Sequence, residues 1–207
     1  MIDEKRYAGR IIKLTVGEDE LIRKHFVRKA AKENELFYHN ELVKAGLTVP
    51  RLYKNAEKAI YYDYIPSIHY LDVLDIWERD EDSDFSIWQP LAEWLCKLYK
   101  ECPGVVVGDP NLRNFILDTE RKCYGIDFEE YRQGKIIDDI GLLLAYISTY
   151  KPAYTEGKKK VCNYLIDYFI THLNITRPEL VMTITKQIAE LEHRRAGKIM
   201  KGKRKYK

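Results

Sequence analysis

Asp109, Asn114 and Asp127 are the side chains whose types and order could do chemistry together. They lie in VVVGDPNLRNFILDTERKCYGIDFEEYRQGKIIDDIG, the stretch from Val105 to Gly141. Asp109 follows the apolar run Val105–Val107 and Asp127 follows Cys123–Ile126; Asn114 stands five positions after the first and thirteen before the second. Apolar runs of this length mark buried strand ends, and polar groups just beyond them tend to face a cleft. The three converge only if the segment folds back. Phe115–Leu117, the polar turn Asp118–Lys122 and Cys123–Ile126 supply a hairpin that would do so. Oxygen donors gathered this way suit a hard cation such as Mg2+, which is usually held together with substrate phosphates. Each turn alone also fits an ordinary solvated carboxylate; the ordered set points to phosphoryl transfer.

These residues resemble the catalytic and metal-binding loops of the protein-kinase-like superfamily. Gly108-Asp109 with Asn114 is similar to the HGDxxxxN loop of aminoglycoside phosphotransferases and choline kinases. Asp127-Phe128-Glu129 resembles their IDFE, and Asp139-Ile140-Gly141 their DLA or DIG. Val107 stands where that family has a loop-bracing His. The resemblance implies Asp109 as catalytic base, Asn114 and Asp127 as ligands of Mg2+, ATP as phosphoryl donor, and Asp139 as a structural brace.

The elements that would position this set lie upstream. Arg10–Thr15 and Glu20–Phe26 are β-prone around the turn Val16–Asp19, which predicts a hairpin. A kinase nucleotide lid is rich in glycine, but only Gly9 and Gly17 occur here and no GxGxxG, so the expected lid is abbreviated. Ile22 and Lys24 share one face of the second strand, making Lys24 the candidate phosphate-binding lysine, with Arg23 and Lys29 as competitors. Val27–Ala45 has helical spacing, with Leu36 and Val43 seven apart and Tyr38 and Leu42 four apart, closed by Gly46. ELFYHNELVKAGLTVP, Glu35 to Pro50, resembles the helix-C region of the Kdo kinases and of the KEOPS kinase, which implies that Glu35 pairs with Lys24. Arg51–Tyr53 and Ala59–Tyr64 read as strands. The second runs into Tyr62-Asp63-Tyr64-Ile65-Pro66, which resembles the MEYI hinge of small kinases and implies that Asp63, Tyr64 and Ile65 line the adenine pocket.

After Pro66 the pattern turns helical: Tyr70–Trp77, then an acidic loop Glu78–Asp84, then Phe85–Cys102 with an apolar stripe of Trp88, Leu91, Trp94, Leu95 and Leu98. Leu142–Tyr150, Lys158–Leu173 and Pro178–Ala196 complete the helices. The expected fold class is therefore α+β and two-lobed: a small antiparallel-sheet lobe over 1–65, a compact helical lobe over 66–193 and a basic tail over 194–207.

At 207 residues with 45% hydrophobic and 32% charged side chains, the composition is that of a soluble globular protein. No apolar run approaches the ~20 residues of a membrane span, and the charged start MIDEKR is no signal peptide, so the expected location is cytoplasmic. Cys96, Cys102, Cys123 and Cys162 form no CxxC pair and fit reduced thiols. Eight Lys or Arg and no acid lie between Arg194 and Lys207; set against the net +3, they leave the remainder at −5. Such a tail is either a solvated, partly disordered end or a contact for RNA, an anionic membrane or an acidic partner.

Glu129 replaces the Gly of a DFG motif, and few residues separate Glu130 from Asp138, which leaves no long peptide-docking loop. Both features favour a hydroxyl-bearing small molecule as acceptor, such as an amino alcohol, sugar or antibiotic. The short helical lobe keeps a protein acceptor of the KEOPS type open. Two further classes stand beside the kinase: a pseudokinase scaffold, marked by Val107 and the missing glycines, and an RNA-associated protein acting through its tail.

Overall fold

A computed structural model describes the backbone over residues 2–8, 10–16, 18–79 and 84–204, and side chains over 10–15, 18–79 and 84–196. Five antiparallel strands form the first sheet in the order β1-β2-β3-β5-β4: β1 Ile2–Ala8, β2 Ile11–Val16, β3 Asp19–His25, β4 Leu52–Asn55 and β5 Ala59–Asp63. β2 and β3 form the expected hairpin, registered Ile11 against Lys24 and Val16 against Asp19. β1 was not expected; its sequence is dominated by charge and carries no apolar alternation to announce it. The tips at Gly9 and Gly17 lie outside the described residues.

Helix α1, Lys29–Lys44, packs on this sheet, and Phe26, Ala31, Ile60 and Tyr62 form a small core between them. Its buried face is Ala31, Glu35, Tyr38, His39 and Leu42. Of the seven-residue pair Leu36 and Val43, Leu36 packs against this small core while Val43 is exposed. Gly46 closes the helix at φ +69°, a conformation that costs a residue without Cβ least.

The remainder is helical around two short pairings. α2 spans Tyr70–Arg79, α3 Gln89–Glu101, α4 Ile136–Thr149, α5 Glu156–His172 and α6 Arg177–Arg204, and a 3-10 turn at Phe85–Trp88 leads into α3. β6 Ser67–His69, β8 Phe115–Asp118 and β9 Cys123–Gly125 make an antiparallel sheet, in which β8 and β9 are the expected hairpin. β7 Val105–Val106 pairs with β10 Arg132–Gln133. The predicted stripe on α3 is buried throughout and joins Tyr70, Phe115, Leu143, Leu144, Leu165 and Phe169 in the main core. Side chains of this size are each worth about 1.5–3 kcal/mol when fully buried, so the stripe anchors the segment that follows it. All four cysteines are free.

Three boundaries differ from expectation. β6 follows directly on Pro66, too short to carry a period. α4 begins six residues before the expected Leu142, because Asp138 and Asp139 are first-turn acids of a helix and not loop residues. α6 continues to Arg204, so the backbone of the basic run is helical that far; its side chains beyond 196 lie outside the described residues, as do residues 80–83 of the acidic loop. Among the described residues no helix is long and apolar enough to cross a membrane.

Candidate active site

Lys24 stands near the end of β3 and is buried, 4% exposed. Its Nζ lies 2.9 Å from Glu35 Oε2 on α1, 2.7 Å from Asp127 Oδ1 and 3.1 Å from Glu129 Oε1. Burial opposes its charge, but the neighbouring Glu35 and Asp127 carboxylates outweigh burial and hold its pKa above the ordinary lysine value. Arg23 and Lys29 do not compete for this place: Lys29 is paired with Glu33 on the surface. For Glu35, burial dominates and holds the carboxyl above its ordinary value, with Lys24 pulling the other way. Its oxygens accept hydrogen bonds from Lys24 Nζ, from the Tyr62 hydroxyl at 3.0 Å and from the Phe128 backbone N–H at 2.7 Å. Three donors on one carboxylate favour its ionised form.

The segment 127–131 is tied to α1 at several points. Asp127 sits at φ +64°, a sparsely populated conformation for a residue with a side chain. It is flanked by anchors: Glu35 holds the Phe128 N–H, and Asn34 Nδ2 donates to the carbonyls of Glu129 at 2.8 Å and Tyr131 at 3.0 Å. Asn34 could not have been picked from the sequence, since nothing distinguishes it from any other helical Asn.

Asp109 and Asn114 belong to the turn between β7 and β8. Gly108 opens that turn at φ +78°, where a Cβ would strike the Glu130 carbonyl, so glycine is required there. Asn114 Nδ2 donates to the Asp109 carbonyl at 2.9 Å, which closes the loop on itself. The Asp109 carboxylate accepts from Tyr146 Oη and from Asn111 Nδ2, each at 2.8 Å. Tyr146 comes from α4, too far along the chain for spacing to connect it with Asp109.

The loop is braced from below. Asp139 accepts from the backbone N–H groups of Val107 at 2.8 Å and Gly108 at 2.9 Å, and from the Tyr99 hydroxyl at 2.8 Å. Burial pushes its carboxyl up while these donors pull it down. Val107 is 1% exposed and packs in the main core. The loop's brace therefore acts through backbone N–H groups and needs no His side chain at position 107.

A cleft of about 660 Å³ runs past Lys24, Asn114 and Asp127; Asp109 is not among the residues that line it. Ile11 and Ile22 line it from the sheet, Ile116 and Ile126 from the β8–β9 side, and Asp63, Tyr64 and Ile65 along the connection between them. Lys24, Glu35, Asn114 and Asp127 share the same wall system. The hinge segment spends two of its N–H groups on protein: Asp63 N–H on the Arg51 carbonyl and Tyr64 N–H on that of Glu20. Ile65 N–H has no backbone partner among the described residues. The Asp63 side chain turns to Arg51 at 2.7 Å, and Lys13 Nζ sits 3.5 Å from the Tyr64 ring centroid.

Two oxygen sets could hold a cation. Glu35, Asp127 and Glu129 offer atoms within 4.8 Å of one another, but the Lys24 ammonium already sits among them. Asn114 and the Asp127 oxygen not bonded to Lys24 form the other set. With its Nδ2 committed to Asp109, Asn114 has its carbonyl oxygen left, and both residues line the cleft, so each offers a hard oxygen of the kind Mg2+ takes.

No family model matches the chain, and no curated protein matches it. Among solved structures it is similar to the choline kinase LicA from Streptococcus pneumoniae, with a TM-score of 0.56 over 92% of this chain and 84% of that one, at 14% identity. The chain thus has the two-lobed, protein-kinase-like α+β fold that its sequence led us to expect.

Proposed function

We propose that the protein is an ATP-dependent phosphotransferase acting on a hydroxyl acceptor. The observation that carries this reading is the buried Lys24–Glu35 pair meeting Asp127 at one end of an apolar cleft, with Asn114 and Asp109 in the adjoining loop. Adenine would lie between Ile11 and Ile22 on one side and Ile116 and Ile126 on the other, with Asp63–Ile65 along its edge. Lys24, oriented by Glu35, would meet the phosphates. Asp109, oriented by Tyr146 and Asn111, would accept the acceptor's proton as its oxygen attacks phosphorus. Asn114 and Asp127 would hold Mg2+, which when bound neutralises phosphate charge in the transition state.

The acceptor in this reading is a small molecule. Only a short link joins Glu130 to α4 at Ile136, leaving no loop long enough to dock a peptide, and the structural neighbour is a choline kinase. A division near residue 65 between the nucleotide-gripping and helical parts, and a basic extension from 194 available to an RNA or acidic partner, belong to the same proposal. The pseudokinase alternative rests on Val107 and the missing glycines; the backbone brace from Asp139 bears on the first of these and leaves the second standing.

The test is ADP release from Mg-ATP across a panel of amino alcohols, sugars and aminoglycosides, with Asp109→Asn as control. An acceptor-dependent rate that Asp109→Asn lowers by about 10²–10⁴ supports the reading. ATP binding with no acceptor-dependent turnover, unchanged in the variant, would sink it.

A further inference from the structure

The turn between β1 and β2 lacks the run of glycines that lets backbone amides approach phosphates, but it carries Arg10. The guanidinium reaches down to the segment 127–131: Arg10 Nη1 donates to Glu129 Oε2 at 3.1 Å, and Nη2 forms an ion pair with Oε1. The two partners differ in setting. The Arg10 side chain is 41% exposed and that of Glu129 only 5%. Breaking a buried pair is costly chiefly because it strands a charge. Here it would not, since Lys24 Nζ stands 3.1 Å from the same Glu129 oxygen. Arg10 can leave, and Glu129 keeps a cation.

The charge balance gives Arg10 a reason to leave. Glu35, Asp127 and Glu129 face Lys24 and Arg10, three carboxylates to two cations in this cluster. A nucleoside triphosphate adds negative charge to that balance, while Lys24 is engaged by all three acids. Arg10, exposed and carried on a turn, is a cation that can be redirected, beside Arg113 on the cleft wall. A guanidinium grips phosphate with the same fork it uses for a carboxylate.

We propose that Arg10 is a phosphate-binding residue of the nucleotide site, exchanging Glu129 for the outer phosphates of bound Mg-ATP. A side chain thereby supplies the contact that a glycine-rich turn would make through its amides. The inference rests on the nucleotide reading above.

Titration calorimetry with Mg-ATP and, separately, adenosine tests it on the wild type, Arg10→Ala, Arg10→Lys and Glu129→Gln, with circular dichroism to check folding. Arg10→Ala should weaken Mg-ATP by about tenfold to a hundredfold and leave adenosine unchanged. Arg10→Lys should recover part of the loss, and Glu129→Gln, which frees Arg10, should bind Mg-ATP at least as tightly as wild type. Should Arg10→Ala not fold, Arg10→Gln keeps the stem and carries the same comparison. An equal loss for both ligands would make Arg10 a structural latch and overturn the proposal. So would unchanged Mg-ATP binding, or a loss in Glu129→Gln as large as in Arg10→Ala. A wild type that binds neither ligand overturns the nucleotide reading itself, and this proposal with it.

Discussion

At the scale of residues, the site is a set of charges each held by named donors. Asp109 is held on both oxygens, by Tyr146 and by Asn111, so its direction is fixed before any acceptor arrives. Removing one such bond from an orienting group is worth about 1 kcal/mol. Tyr146→Phe should therefore lower kcat about threefold to tenfold while leaving the KM for ATP unchanged; a steady-state assay that finds kcat unaltered would remove Tyr146 from the account. Much of this scale was legible in advance. That Lys24 meets Glu35 and Asp127, and that Asn114 folds back on Asp109, could be read in advance, because each of these residues belongs to a short linear pattern; their roles are part of the proposal. Tyr146, Asn34 and Arg10 were not legible. They meet the site through tertiary contacts spanning 37, 95 and 119 positions of sequence, and no local spacing encodes those.

At the scale of elements, α1 does two jobs: it buries Tyr38 and Leu42 in the core, and it presents Glu35 and Asn34 to the segment 127–131. A helix whose inner face carries a buried acid cannot show a clean apolar stripe, which is why Val43 misled. The same logic displaced the start of α4, where Asp138 and Asp139 resembled loop residues although acids suit a helix N-terminus. β1 and β6 went unseen for a different reason: one is mostly charged and the other is three residues long. Asn34→Ala tests the second job of α1. It leaves the carbonyls of Glu129 and Tyr131 without this partner, and should cost about 1–3 kcal/mol in urea unfolding. A loss below about half a kcal/mol would mean that the ties through Glu35, Lys24 and Arg10 hold the loop without Asn34.

At the scale of the whole molecule, the tyrosines and Lys24 act in one direction. Burial raises the hydroxyl pKa of Tyr62, Tyr70, Tyr99 and Tyr131, and Lys24 is raised through its carboxylate partners despite burial. A raised folded pKa gives stability that is whole below the unfolded value and drains away as pH rises through the folded one. Unfolded Tyr and Lys titrate near pH ~10, so the contribution of these groups should be whole to about that pH and fall steeply above it. Tyrosinate absorbance followed alongside circular dichroism checks this: the buried tyrosines should ionise together with unfolding. Smooth ionisation of all tyrosines in a folded chain would contradict the burial pattern. The central claim is that the cleft binds a nucleotide whose metal is held by Asn114 and Asp127, and a crystal structure with Mn2+ and a non-hydrolysable ATP analogue tests it most directly. The account predicts anomalous density between Asn114 and Asp127, with adenine beside Asp63–Ile65; an empty cleft, or manganese displacing Lys24 among Glu35, Asp127 and Glu129, would contradict it.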